Sequence, residues 1–135
     1  MNHSITHIEK NLITIQGQQV LLDRYVAELY GVETKRINEA VKNNLDKFPA
    51  DYLIELSKRE WNDLRSKIST ANFSKTRVPP KAFTEKGLYM LATILKSKQA
   101  TQTTFLIIET FAKLRALQQA VASASSATGA RKNSL

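Results

Sequence analysis

Cysteine is absent from these 135 residues, which rules out a disulfide framework and any thiolate metal site. Histidine occurs only as His3 and His7. Their i, i+4 spacing suits a metal on a helix, but two ligands are too few and no helix signal precedes them. Without cysteine, a nucleophile has to be Ser, Thr or Lys, with no histidine base near it. The 4 glycines form no phosphate-cradling loop. Catalysis, a cofactor and a bound metal are therefore not expected. No apolar run approaches the roughly 18 residues that span a bilayer. The opening MNHSITHIEK lacks the basic-then-apolar pattern of a secretory signal. These absences predict a cytoplasmic protein with no membrane partner. Aromatic residues make up only 7%, few for a base-stacking platform. Trp61, Phe83 and Tyr89 sit at core spacing and read as packing groups, whereas Phe73 fits either role. Acidic side chains are also scarce: 12 Asp+Glu against 20 Lys+Arg give a net charge of +8. A surplus of that size attracts polyanions, although it also serves solubility.

What is present is globular in character. Hydrophobic residues make up 42%, enough for one domain with a modest core. Residues 1–10 read as a flexible terminus. LITIQGQQVLL (12–22) alternates apolar and polar around Gln16-Gly17, which predicts a short β-hairpin. Asp23 is placed to cap a helix running to Tyr30, which Gly31 ends. A second helix is expected from Thr34 to Leu45, stopped by Phe48-Pro49. Residues 52–56 read as a strand. Ser57 and Glu60 form a capping box for a helix carrying Trp61, Leu64 and Ile68. Residues 69–81 read as a polar, basic loop, with Ala82-Phe83 as a short strand beside 52–56. Thr84 caps a helix over Glu85–Lys96 with core face Leu88, Leu91, Ala92 and Leu95. A last helix is expected from about Gln99 to Ala122. Residues 123–135, SASSATGARKNSL, read as a disordered tail.

The segment RYVAELYGVETKRINEAV (24–41) places Ala27, Gly31, Val32, Ile37 and Val41 at instructive positions. Two helices that cross closely need a small residue at the contact. The turn between them needs a glycine for positive φ, and flanking apolar residues must fix the angle. The spacing Ala-x₃-Gly-Val-x₄-Ile meets these demands of a helix-turn-helix. Val26 and Leu29 of the first helix, and Ala40 and Leu45 of the second, are expected to face the core. The second helix then presents Thr34, Lys35, Arg36, Asn38, Glu39, Lys42 and Asn43 outward. Asn pairs bidentately with adenine in the major groove, Arg or Lys with guanine, and Lys42 suits a phosphate. An ordinary helical hairpin with a solvated polar face has the same pattern, and spacing alone leaves both open.

Residues 58–81 hold seven basic side chains against Glu60 and Asp63. Arg65, Lys67, Ser74, Lys75, Thr76 and Arg77 suit a wing that touches DNA backbone or minor groove. A plain flexible loop accounts for them equally well.

The blocks LYGV-x₃-IN-AV, FP-DY and AFTEKG-YML occur in one order along the chain. With them, roughly residues 10–118 resemble the phage and bacterial "ORF-six N-terminal" DNA-binding domain, a family related to the KilA-N and Bro-N domains. The resemblance implies sequence-specific binding to double-stranded DNA and a role as phage antirepressor or regulator. It also implies that the domain is often the N-terminal module of a longer protein. Only the tail follows here, so a C-terminal effector domain is expected to be absent or removed.

These readings predict a helix-dominated α+β fold: a winged helix-turn-helix-like domain over 11–122 with an N-terminal β-hairpin, a small sheet and a long C-terminal helix. Helix 34–45 is expected to read the major groove and loop 65–81 to contact the backbone. The competing reading is a protein–protein interaction module of a phage regulator or antitoxin-like protein. The last helix carries Phe105, Ile108, Phe111, Leu114, Leu117 and Val121, widened by Leu106 and Ile107. Phe105–Leu114 is expected to close the core. Beyond Leu114 the stripe narrows to a seam that suits a homodimer or a phage or host regulatory partner.

Overall fold

The computed structural model describes residues 4–67 and 78–133. The elements run α1 (Ile5–Asn11), β1 (Ile13–Ile15), β2 (Gln18–Leu22), α2 (Asp23–Tyr30), α3 (Thr34–Lys42), a 3₁₀ turn (Leu45–Lys47) and β3 (Leu53–Glu55). They continue with α4 (Lys58–Lys67), β4 (Lys81–Phe83), α5 (Glu85–Leu95) and α6 (Lys98–Asn133). The class is α+β, dominated by helix, with one four-stranded antiparallel sheet and a long C-terminal helix.

The sheet order is β1-β2-β4-β3. Gln16 and Gly17 both take positive φ (52° and 77°), as a two-residue hairpin turn of matching twist requires. The hairpin joins the main sheet, because Leu21 and Leu22 of β2 pair with Phe83 and Ala82 of β4. Strand alternation then splits the core. Leu21 and Phe83 point to the side holding α2, α3, α5 and α6. Val20, Leu22, Ile54 and Ala82 point to the other side, where Trp61 of α4 covers them. The Ser57–Glu60 capping box forms as expected: Ser57 N–H donates to Glu60 Oε1 (2.9 Å) and Glu60 N–H to Ser57 Oγ (3.1 Å).

The structure departs from the sequence reading in five places. Residues 5–11 are not frayed: Ser4 caps α1, Ile8 is fully buried, and Lys113 of α6 reaches Glu9 at 3.0 Å. The anchor lies far away in the chain, so local pattern could not reveal it. Asp23 is the first residue of α2 rather than its cap, and its carboxylate accepts from Lys81 N–H (3.3 Å) instead. The second helix stops at Lys42, short of Leu45, and Leu45 is 67% exposed instead of core-facing. On α6, Ile107 and Phe111 are buried, but Phe105 (63% exposed) and Ile108 do not close the core. The run Phe105-Leu106-Ile107-Ile108 is apolar on every side of a helix, so periodicity cannot choose the buried face. Finally, α6 continues to Asn133, through most of the stretch read as a disordered tail. Its alanines favour helix.

Candidate functional site

The site is built on the bend between α2 and α3. Gly31 has φ 68° and ψ 34°, the left-handed conformation that ends a helix without Cβ strain. Its N–H donates to Glu28 O (3.2 Å) and Val32 N–H to Ala27 O (3.0 Å), which closes the turn. From above, α6 seals it: Thr103 Oγ1 donates to Leu29 O (2.8 Å), and Gln99 lies where a Gly31 side chain would go. Ala27, Ile37 and Val41 are buried and Val32 packs against the same core. These contacts grip α3 by its apolar side.

The opposite side of α3 is open. Lys35, Arg36, Glu39, Lys42 and Asn43 are exposed; Thr34 and Asn38 are half-buried. Thr34, Lys35, Asn38, Glu39, Val41 and Lys42 line an open depression of about 680 Å³, together with Leu45 and Lys81. Its rim carries three lysines against one glutamate. The Asn38 Oδ1 atom is buried and has no hydrogen-bond partner among the described residues.

Sequence pattern puts neither Lys81 nor Leu45 on this face: it predicts Leu45 in the core and Lys81 only within the basic loop 65–81. The alternation of Lys81-Ala82-Phe83 holds a usable signal, since it puts Lys81 on the Phe83 face of β4, towards α3. Leu45 had no such signal, because its exposure depends on where α3 ends. The loop after α4 re-enters the sheet at Lys81, and Asp23 fixes that point. Burial raises the Asp23 pKa above its ordinary 3.8, while hydrogen bonds from the Lys81 and Arg24 amides oppose the rise.

The basic stretch after α4 is only partly described. Arg65 donates to Asn62 Oδ1 (2.9 Å) and stacks over the Trp61 ring at 5.6 Å. Lys67 lines a second depression, of about 300 Å³, with Ile13–Gln16, Glu60, Asp63 and Leu64. Both therefore sit with α4, across the sheet from α3, and do not join the first depression. Ser74, Lys75, Thr76 and Arg77, the core of the wing reading, lie outside the described residues, as do Phe73 and Ile68. Among the described residues no group of three His, Cys, Asp or Glu side chains could hold a metal. Among them, too, no helix is long and apolar enough to cross a membrane.

A protein-family model, the ORF6N domain, matches residues 10–94. The match ends inside α5, short of the extent expected from the resemblance, and leaves α6 outside it. No curated protein and no solved structure matches the chain.

Proposed function

The chain belongs to the ORF6N domain family, and from that premise we propose that it binds double-stranded DNA sequence-specifically, as part of a phage or prophage regulator of the antirepressor type. The observation that carries this reading is the two-sidedness of α3. Ile37, Ala40 and Val41 are locked into the core, while Lys35, Arg36, Glu39 and Lys42 are exposed and half-buried Asn38 lines the depression between them. A helix held rigidly by one side can enter a major groove with the other. The net charge of +8 supplies sequence-independent attraction. Lys35, Lys42 and Lys81 suit phosphates; Arg36, Asn38 and Glu39 suit base edges. In this reading the chain is a binding domain and not an enzyme. Selection from a random duplex library tests it: enrichment of a defined motif is expected, and no enrichment at low salt overturns it.

A second reading, a protein–protein module, is favoured by one specific feature. Leu117 (51% exposed) and Val121 (66%) continue the side of α6 that carries half-buried Leu114. The two readings are compatible if α6 joins two copies of a DNA-binding domain.

A further inference from the structure

Leu45 is a large apolar side chain held out in solvent by an ordered turn. Asn44 Nδ2 donates to Ala40 O (2.8 Å), Lys47 N–H to Asn44 O (2.9 Å) and Phe48 N–H to Leu45 O (3.2 Å). Phe48 is buried, with its ring edge-on to Phe83 at 6.2 Å. The turn is thus anchored on both sides, and Leu45 is presented at 67% exposure. Burying a leucine stabilises a fold substantially, so this placement serves the core poorly.

Its surroundings are cationic and polar. Leu45 shares its depression with Lys35, Lys42 and Lys81, which suit a polyanion, and with Asn38. The Asn38 oxygen has no hydrogen-bond partner among the described residues, so turning the amide towards a base breaks no bond to them from that atom. Among base edges in the major groove, the apolar group is the thymine C5-methyl.

We propose that Leu45 is a specificity-determining residue that packs on a thymine methyl, beside the base pair read by Asn38. The inference rests on the DNA-binding reading and adds to it a stated preference: the recognised site contains at least one A·T pair, with thymine under Leu45. Asn38 pairs with adenine through N6 and N7, and Leu45 excludes water from the adjoining methyl group.

The test uses the full chain and a site enriched from a random duplex library. Each thymine is replaced in turn by deoxyuridine, which deletes one methyl and leaves base pairing intact. Wild-type protein is expected to lose about three- to fivefold in affinity at one position. Leu45→Ala is expected to bind the thymine site as weakly as wild type binds its uracil analogue, and to be indifferent to that methyl. Because the deoxyuridine series uses wild-type protein, misfolding of a variant cannot imitate the result. Tolerance of deoxyuridine at every position overturns the proposal while leaving the DNA-binding reading standing. So does a Leu45→Ala variant that still senses the same methyl. A change in solution mass on Leu45→Ala, with unaltered methyl sensitivity, overturns it in favour of a protein contact. Failure to enrich any sequence overturns both readings.

Discussion

Gly87 lies so close to Tyr52 that a Cβ at position 87 would overlap the Tyr52 carbonyl oxygen. The same carbonyl accepts from Thr84 N–H (3.2 Å) and Thr84 Oγ1 (3.1 Å), and Thr84 Oγ1 in turn accepts from Gly87 N–H (3.3 Å). Lys86 Nζ meets Asp51 Oδ2 at 3.1 Å, and Phe48 packs on Phe83. FPADY and FTEKG, separate blocks in the sequence, are two halves of one clasp that sets β3 and β4 against the start of α5.

That clasp yields a stability prediction for the glycines. At Gly87 the obstacle is backbone, which cannot move aside, so Gly87→Ala is expected to cost about 2–3 kcal/mol. At Gly31 the atoms nearest a new Cβ belong to the Gln99 side chain, whose end can swing away. Gly31→Ala then suffers chiefly left-handed backbone strain, about 1 kcal/mol. Urea denaturation of the two variants should rank them in that order. The reverse ranking means that α5 shifts to admit the methyl.

Much of the fold was legible because it is local. The Gln16-Gly17 turn, the Gly31 bend, the Ser57–Glu60 box and the Thr84 cap each have a short-range cause that residue type reveals. What escaped was decided by distant contacts. Ile8 is buried in the core where α6 returns across α1, and Asp23 is drawn from capping to Lys81, across the sheet. The candidate site divides in the same way. The outward residues of α3 follow from its 3.6-residue period, given the buried positions Ile37 and Val41. Lys81 joins them through sheet register, and Leu45 through a helix end three residues earlier than expected.

Base-reading and phosphate-holding side chains should separate in binding experiments. Asn38→Ala is expected to cost about 1–3 kcal/mol on the selected site and to relax discrimination at one base pair. Lys42→Ala should weaken selected and unrelated duplexes alike and lower the salt slope by roughly one. Fluorescence anisotropy titrations at several salt concentrations distinguish the two patterns. If both variants lose affinity uniformly, Asn38 reads no base.

Asp23 gives a pH dependence with a definite sign. Asp23 is 6% exposed, and burial of its carboxyl raises its pKa above 3.8. The folded state therefore keeps this proton to higher pH than the unfolded chain does. The associated stability is fully present below about 3.8 and is lost as pH rises through the folded value. Asp23→Asn has no such proton, and its amide oxygen can still accept from Lys81 N–H. The stability difference, wild type minus variant, should fall from pH 4 upwards and then level off. Parallel stability curves across that range would show that burial does not perturb the carboxyl.

The exposed side of α6 predicts self-association with a geometric consequence for DNA. Leu114, Leu117, Val121 and Ala124 follow one another at intervals of three and four residues, the spacing of a coiled-coil seam. Leu117 and Val121 are more than half exposed, so the seam is open to a second copy. The nearby Gln118 and Gln119 bear no charge to oppose close approach. Light scattering is expected to show mass rising with concentration, and Leu117→Lys with Val121→Lys should hold the chain at 15.2 kDa. Both changes lie on exposed positions outside the globular core, so thermal stability at low concentration should be unchanged. A two-fold pair of α3 helices would favour selected sites with inverted half-sites about 34 Å apart, one turn of duplex. The double variant should bind a single half-site as well as wild type does and lose the advantage of the paired site. A chain that stays monomeric at high micromolar concentration, yet selects inverted repeats, would place the dimer contact elsewhere than α6.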